Sequence, residues 1–263
     1  MIVVTGTTGL SNVNVELTSR CNKNCWMCGR RRLETTYPEI VNNYGDMRIP
    51  LVSKIANELP NGVVVQFHNN GEPLLYPNFG TAVAYFERQI KCVDTNAILL
   101  YEKRDEVVDN LDTLTISVIA EDEAQYETVV KFLEFKRDMK PLMVYRILGD
   151  VPSLKWEKLP GLVVHRTLHH PMGSFGYQKK VVKPEIGICL EVLHHLAIDR
   201  FGDVSVCVRF DPDREGVIGN VNEESIDEIW NGWRRAAFLD AHLKGDRNIP
   251  LCCKCEYWGV PTG

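Results

Sequence analysis

Three cysteines stand within eight residues, as Cys21-Asn-Lys-Asn-Cys25-Trp-Met-Cys28, and five more lie at positions 189, 207, 252, 253 and 255, with Cys92 alone between the groups. An odd set of nine cannot pair off completely, and Met1–Leu10 lacks the basic start and apolar stretch of an export signal. We therefore expect a cytoplasmic, reducing setting, where disulfides are rare and clustered thiols point to metal. The first group has no fourth Cys or His within the next 30 residues. Structural zinc is almost always closed by four ligands, so three thiolates better suit a [4Fe–4S] cluster with one iron left open. In the second group Cys189, Cys207, Cys252 and Cys255 supply four thiolates, the number that a closed [4Fe–4S] cluster or a four-cysteine zinc site requires. Cys253 adjoins Cys252 and is its alternative as a ligand. Five thiols cannot complete two closed sites, so one auxiliary site is expected.

Composition excludes several other classes. The chain has 263 residues, 25 % of them charged, with a net charge of −5. That balance offers no electrostatic reason to bind nucleic acid or an anionic membrane. No apolar run approaches the ~18 residues of a membrane span.

Strand-like and helix-like segments alternate along the first two thirds. Asn12–Ser19 alternates Val13, Val15 and Leu17 and reads as a strand, as do Val63–His68, Cys92–Ile98, Leu114–Ala120, Pro141–Leu148 and Leu162–Leu168. Helices are expected around Lys54, over Phe79–Ile90 with Asn78 as N-cap, over Tyr101–Leu111 and over Ala124–Met139. Such alternation implies a parallel sheet with right-handed crossovers, and six units make a partial (β/α)6 TIM-like barrel. Ligands of such barrels gather where the C-terminal strand ends meet the following loops. The second strand ends in Asn70-Gly71-Glu72-Pro73, the third carries Thr95-Asn96, the fourth Ser117, and the sixth His165-Arg166 with His169-His170 beyond. Arg166 and Arg146 are candidates to hold an anionic or hydroxylated substrate group. Further on, His195–Phe210 reads as a hairpin turning at Gly202. Ser225–Glu228 is a capping box opening a helix with Ile226, Ile229, Trp230, Trp233 and Ala237 on one face.

The CxxxCxxC just after the first strand resembles the signature of the radical S-adenosylmethionine (SAM) superfamily. That resemblance implies that Cys21, Cys25 and Cys28 hold a [4Fe–4S] cluster whose open iron chelates SAM. Reduction then yields a 5′-deoxyadenosyl radical that abstracts hydrogen from substrate. It also implies SAM contacts for several residues. Met27 replaces the usual aromatic before the third Cys, Asn70-Gly71-Glu72 resembles the family's GGE motif, and Asn96 and Ser117 lie where the ribose or methionine moiety is held. Residues 1–180 would form the barrel. Residues 181–263, with the order Cys, hairpin, Cys, Gly219-Asn220-Val221, Ser225–Trp230, helix and CxxC, resemble the short "twitch" version of the SPASM domain. The implied auxiliary [4Fe–4S] cluster, on Cys189, Cys207, Cys252 and Cys255, takes up the second electron in family dehydrogenases of small cyclitols. Neither Cys92 nor Cys253 is a convincing hydrogen-atom donor, which favours net oxidation.

The expectation is an oxidoreductase acting on a small molecule and served by a flavodoxin- or ferredoxin-type electron donor, for which Arg30-Arg31-Arg32 is a candidate docking loop. The alternatives are redox-neutral chemistry (isomerisation or epimerisation) and peptide modification. The latter is disfavoured because only eleven residues precede the first strand. A non-enzymatic iron–sulfur or zinc protein is the remote alternative.

Overall fold

In the computed structural model, nine strands form one sheet in the order β6-β5-β4-β3-β2-β1-β7-β8-β9. The structure describes residues 7–166, 189–208, 211, 213–246, 248–253 and 255. The strands are β1 Asn12–Val15, β2 Val64–Gln66, β3 Ile90–Thr95, β4 Thr113–Val118, β5 Leu142–Leu148 and β6 Leu162–Arg166, followed by β7 His195–Ile198, β8 Asp203–Ser205 and β9 Val217–Asn220. The first six pair in parallel and in chain order, with helices α1 Arg30–Thr36, α2 Ile49–Glu58, α3 Phe79–Ala84, α4 Arg104–Val107 and α5 Glu123–Lys136 between them. This is the partial (β/α)6 arrangement expected of alternating elements. Among the described residues no helix is long and apolar enough to cross a membrane.

Several elements are shorter than the periodicity implies. The first strand stops at Val15 rather than Ser19, and the third helix stops at Ala84, so that Ile90 opens β3 instead of completing a helical face. Asn78 occupies the N-cap position of α3 but makes no side-chain cap; Glu106 of α4 accepts from the Gly80 N–H at 2.8 Å and does that work from outside. Only Arg104–Val107 of the expected 101–111 helix is α-helical. Arg30-Arg31-Arg32, the candidate docking loop, opens α1 instead of forming a loop. Arg30 is 5 % exposed and its guanidinium lies 4.2 Å above the Tyr44 ring, so it is packing rather than docking surface.

The sheet has two unlike faces. Val13, Val15, Val65, Phe67, Val93, Ile116, Tyr145, Ile147, Leu196 and Ile198 alternate along their strands and pack with Val52, Ile55, Phe79, Val83, Val129 and Phe132 of the helices. Each such aliphatic side chain contributes about 1.5–3 kcal/mol on burial. The intervening positions carry Asn14, Glu16, Gln66, His68, Asp94, Thr115, Ser117, Arg146 and Arg166. A filled barrel presents branched apolar side chains there. This one has a polar lumen.

The C-terminal hairpin joins the barrel directly: β7 runs parallel to β1 (Asn12↔His195 to Val15↔Ile198), and β8 and β9 extend the sheet antiparallel. Gly202, at φ +89°, turns the hairpin as expected. The single helix expected after Ser225 is two: α7 Ile226–Asn231 and α8 Trp233–Leu243. Gly232 between them is extended, and a Cβ there would sit 2.9 Å from the Glu228 carbonyl oxygen. The break turns Trp233 out (75 % exposed), and Ala237 is exposed too. The capping box is present in both directions, Ser225 Oγ accepting from the Glu228 N–H at 3.2 Å and Glu228 from the Ser225 N–H at 2.8 Å. Ser225→Ala is expected to cost about 1 kcal/mol in urea unfolding; no change in midpoint would show that the cap is idle.

Candidate functional site

The first thiol group hangs from the exit of β1. Chain reversal is local, the Cys28 N–H donating to the Cys25 carbonyl at 3.1 Å before α1 begins. Burial pushes the Cys21 and Cys25 thiols up. Cys21 also feels Arg30, Glu72 and Cys28, and Cys25 feels Cys28 and Cys21, so the three sulfurs share one locality facing the end of β2. Met27 is half-buried in the same turn.

The end of β2 is built against that loop. A Cβ on Gly71 would fall 1.9 Å from the Thr18 carbonyl oxygen and 2.8 Å from that of Arg20, so only glycine admits the approach; the Glu72 N–H then reaches the Arg20 carbonyl at 2.7 Å. The Glu72 carboxylate is buried and accepts from Thr95 Oγ1 (2.6 Å), the Asn96 N–H (2.8 Å) and the Leu74 N–H (3.2 Å). It ties the ends of β2 and β3 together. Burial raises its pKa, and these bonds oppose the rise. Asn96 donates to Asn22 Oδ1 at 2.8 Å, inside the cysteine loop. Arg30 reaches the Asn70 carbonyl at 3.4 Å, and Glu16 accepts from the Asn70 N–H at 3.2 Å. Asn70, Gly71, Glu72 and Asn96 are thus gathered round one loop. Ser117 is more distant: its carbonyl and that of Asn96 share the Gln125 amide, at 3.0 and 2.9 Å.

Below this mouth lies the polar lumen. Arg146, a candidate substrate contact, is ion-paired with the buried carboxylate of Asp94, with Nη2–Oδ1 at 3.4 Å and a closer contact from Nη1 to Oδ2. Gln66 donates to Asp94 at 3.3 Å, and His68 Nε2 stands 3.5 Å from it. Against burial, the Arg146 guanidinium, by charge and by hydrogen bonding, holds the Asp94 carboxyl below the usual range. Burial keeps His68 neutral, and Arg146, His195 and Arg166 reinforce this against Asp94. Arg166 lies at the exposed end of β6 within electrostatic reach of His68. Gln66, His68 and Asp94 escaped the sequence reading, although the period-two alternation that marks Val65, Phe67 and Val93 as outward also marks them as inward. His169 and His170 lie outside the described residues.

The second thiol group closes on α8. Cys189 precedes α6 (Leu190–His194), Cys207 follows β8, and Cys252 lies in α9 (Pro250–Cys253). Burial, then the nearby Cys207, Cys255, Cys189 and Cys253, push the Cys252 thiol to about 12. Cys252 is buried, whereas Cys253 is exposed and donates to the Pro250 carbonyl. Among the described residues no three Cys, His, Asp or Glu side chains converge on a single-ion point. Thiols crowded and desolvated in this way suit a cationic iron–sulfur core, which deprotonates its ligands and disperses their charge. A residue the sequence did not single out, His242, bridges the group: Nδ1 accepts from the Cys189 N–H at 3.2 Å and Nε2 lies 3.6 Å from Cys252 Sγ.

A cleft of about 940 Å³, open to solvent, is lined at the strand ends by Glu16, Ser19, Asn70 and Asp199 and on the hairpin side by Cys207 and Arg214. Burial, with Asp203 and Glu16 nearby, raises Asp199 to about 7. The folded chain therefore holds a proton there that the unfolded chain releases near pH 4, so Asp199 weakens the fold as pH rises from about 4 to 7. Asp199→Asn, which keeps the acceptor for the Phe201 and Asp203 N–H groups, is expected to raise Tm by several degrees at pH 8 and by little at pH 4. An equal gain at both pH values would contradict the assignment.

Residues 189–256 match the family model for SPASM, an iron-sulfur cluster-binding domain. A curated relative, the S-adenosyl-L-methionine-dependent 2-deoxy-scyllo-inosamine dehydrogenase of Niallia circulans, is 24 % identical over 263 residues, covering 96 % of this chain and 95 % of the relative. Among solved structures, BtrN in complex with AdoMet and 2-DOIA aligns with a TM-score of 0.59 at 21 % identity over 93 % of this chain and 92 % of that one. Streptococcus suis SuiB bound to precursor peptide SuiA aligns with a TM-score of 0.57 at 11 % identity, over 96 % and 71 % of the two chains. Both likenesses show the fold.

Proposed function

We infer that this chain, a radical SAM protein with a SPASM/twitch iron–sulfur domain, is an oxidoreductase that removes two electrons from a C–H bond bearing oxygen or nitrogen in a small, polar molecule. The observation that carries the reading is the cleft that has the strand-end residues Glu16, Ser19 and Asn70 on one side and Cys207, of the second thiol group, on the other. Loaded with SAM and two [4Fe–4S] clusters, the protein would gain a 5′-deoxyadenosyl radical source at Cys21, Cys25 and Cys28 and an electron acceptor at Cys189, Cys207, Cys252 and Cys255.

The chain's own residues supply the rest. Asn70, Gly71 and Asn96 line the SAM side, while Glu72 fixes the loop that carries them. Met27 and Ser117 complete that side. The Asp94–Arg146 pair and Gln66 offer donors and acceptors inside the lumen to a hydroxylated substrate, with Arg166 at its rim. His68, held neutral by burial, is the base placed to take the proton that leaves with oxidation. Residues 1–180 form the radical-generating part and 181–263 the auxiliary part, working in the cytoplasm with a flavodoxin- or ferredoxin-type donor.

The test is incubation with SAM, dithionite and 2-deoxy-scyllo-inosamine, the aminocyclitol named for the curated relative. The expected product is two mass units lighter, with one 5′-deoxyadenosine formed per product. A product of unchanged mass would replace dehydrogenation by redox-neutral chemistry.

A further inference from the structure

His242 is buried on α8 and sits between two cysteines that lie 63 residues apart in sequence, Cys189 and Cys252. Its two ring nitrogens have different duties. The backbone N–H of Cys189 is a donor only, so Nδ1, 3.2 Å away, must present its lone pair. With Nδ1 accepting, the ring proton of the neutral imidazole belongs on Nε2. Nε2 faces Cys252 Sγ at 3.6 Å, within hydrogen-bond reach of the larger sulfur atom. The tautomer and the donor direction therefore follow from which groups surround the ring.

The ring is also rigidly placed. Arg235, two turns earlier on the same helix, donates to the carbonyls of Val192 (3.2 Å) and Leu193 (2.9 Å), and its guanidinium lies 3.3 Å above the Trp230 ring. These bonds clamp α8 to α6, the helix that Cys189 precedes, so the distance from His242 to Cys189 is set by the fold rather than by the ring alone.

We propose that His242 is a positioning residue of the auxiliary cluster, donating an Nε2–H···S hydrogen bond to Cys252 that raises the cluster's reduction potential and suits it to accept an electron. The proposal rests on the reading of Cys189, Cys207, Cys252 and Cys255 as ligands of one cluster. A donor to a ligating sulfur stabilises the more negative, reduced state, and hydrogen bonds to the sulfurs are among the terms that set iron–sulfur potentials.

The experiment is an EPR-monitored redox titration of the reconstituted protein, compared with His242→Asn and His242→Gln. Asparagine keeps an acceptor near Nδ1 for the Cys189 N–H but cannot reach the sulfur; glutamine carries an N–H to the position of Nε2. All three proteins are expected to bind the same iron. The midpoint potential of the second cluster should fall in His242→Asn and return toward the parent value in His242→Gln. An unchanged potential in His242→Asn overturns the proposal, and so does loss of the second cluster's iron, which would make His242 a ligand. A chain that acquires only one cluster signal refutes the ligand reading itself, whereas a second cluster indifferent to residue 242 refutes only the role of His242.

Discussion

With Cys207 replaced by alanine, the reduced protein is expected to go on cleaving SAM at nearly the parent rate while forming less than about one hundredth of the oxidised product. The two thiol groups are held by separate parts of the fold, which is why the effects separate. Cys21, Cys25 and Cys28 depend on the β1 exit and on the Gly71, Glu72 and Asn96 contacts. Cys207 depends on the end of β8, where its N–H donates to Ser205 Oγ at 3.2 Å and Ser205 in turn to Asp211 at 2.9 Å. Removing the Cys207 thiol leaves the first set of contacts untouched. Cys189→Ala should behave alike. Full turnover in either variant would contradict the electron-acceptor role of the second group, as would loss of SAM cleavage in both.

Arg146→Met is expected to destabilise the protein by about 3–5 kcal/mol, because it leaves the buried Asp94 carboxylate without its closest counter-charge. Gln66 and His68 remain beside Asp94, but the first is uncharged and burial keeps the second neutral. The sign with pH follows. In the parent chain the carboxyl of Asp94 is held low, so its contribution is fully present above the ordinary carboxylate pKa of about 4 and is lost as pH falls below it. In Arg146→Met that carboxyl is pushed up, and the variant should recover stability on acidification from pH 7 to 5. The double change Asp94→Asn with Arg146→Met should restore much of the loss at pH 7, since it removes the charge together with its partner. Urea unfolding of the four proteins at both pH values checks this. A loss under about 1 kcal/mol in the single variant would show that water reaches Asp94.

The sequence spoke most clearly where periodicity and chemistry coincide. Six strands in parallel order, the Gly202 hairpin and the Ser225–Glu228 box were all legible, because each rests on a local pattern with a local physical cause. The polar lumen is legible too: Asn12-Val13-Asn14-Val15-Glu16-Leu17 displays its inward polar stripe as plainly as its outward apolar one. The partner of Arg146 was not legible, since no spacing rule links it to Asp94, 52 residues earlier. The pairing of β7 with β1 joins residues about 183 positions apart, and the bridge from His242 to Cys189 spans 53. Contacts of this range are set by the packed sheet and leave no local signature. The break at Gly232 was hidden by an apolar spacing that runs on past it to Trp233 and Ala237, both of which the break turns outward.

The most direct test of the proposed radical SAM chemistry with two clusters is anaerobic reconstitution followed by iron analysis and reduction with dithionite in the presence of SAM. The account predicts about eight irons per chain and release of 5′-deoxyadenosine and methionine, with SAM cleavage lost when Cys21, Cys25 and Cys28 are replaced by alanine. About four irons with no cleavage of SAM would contradict it.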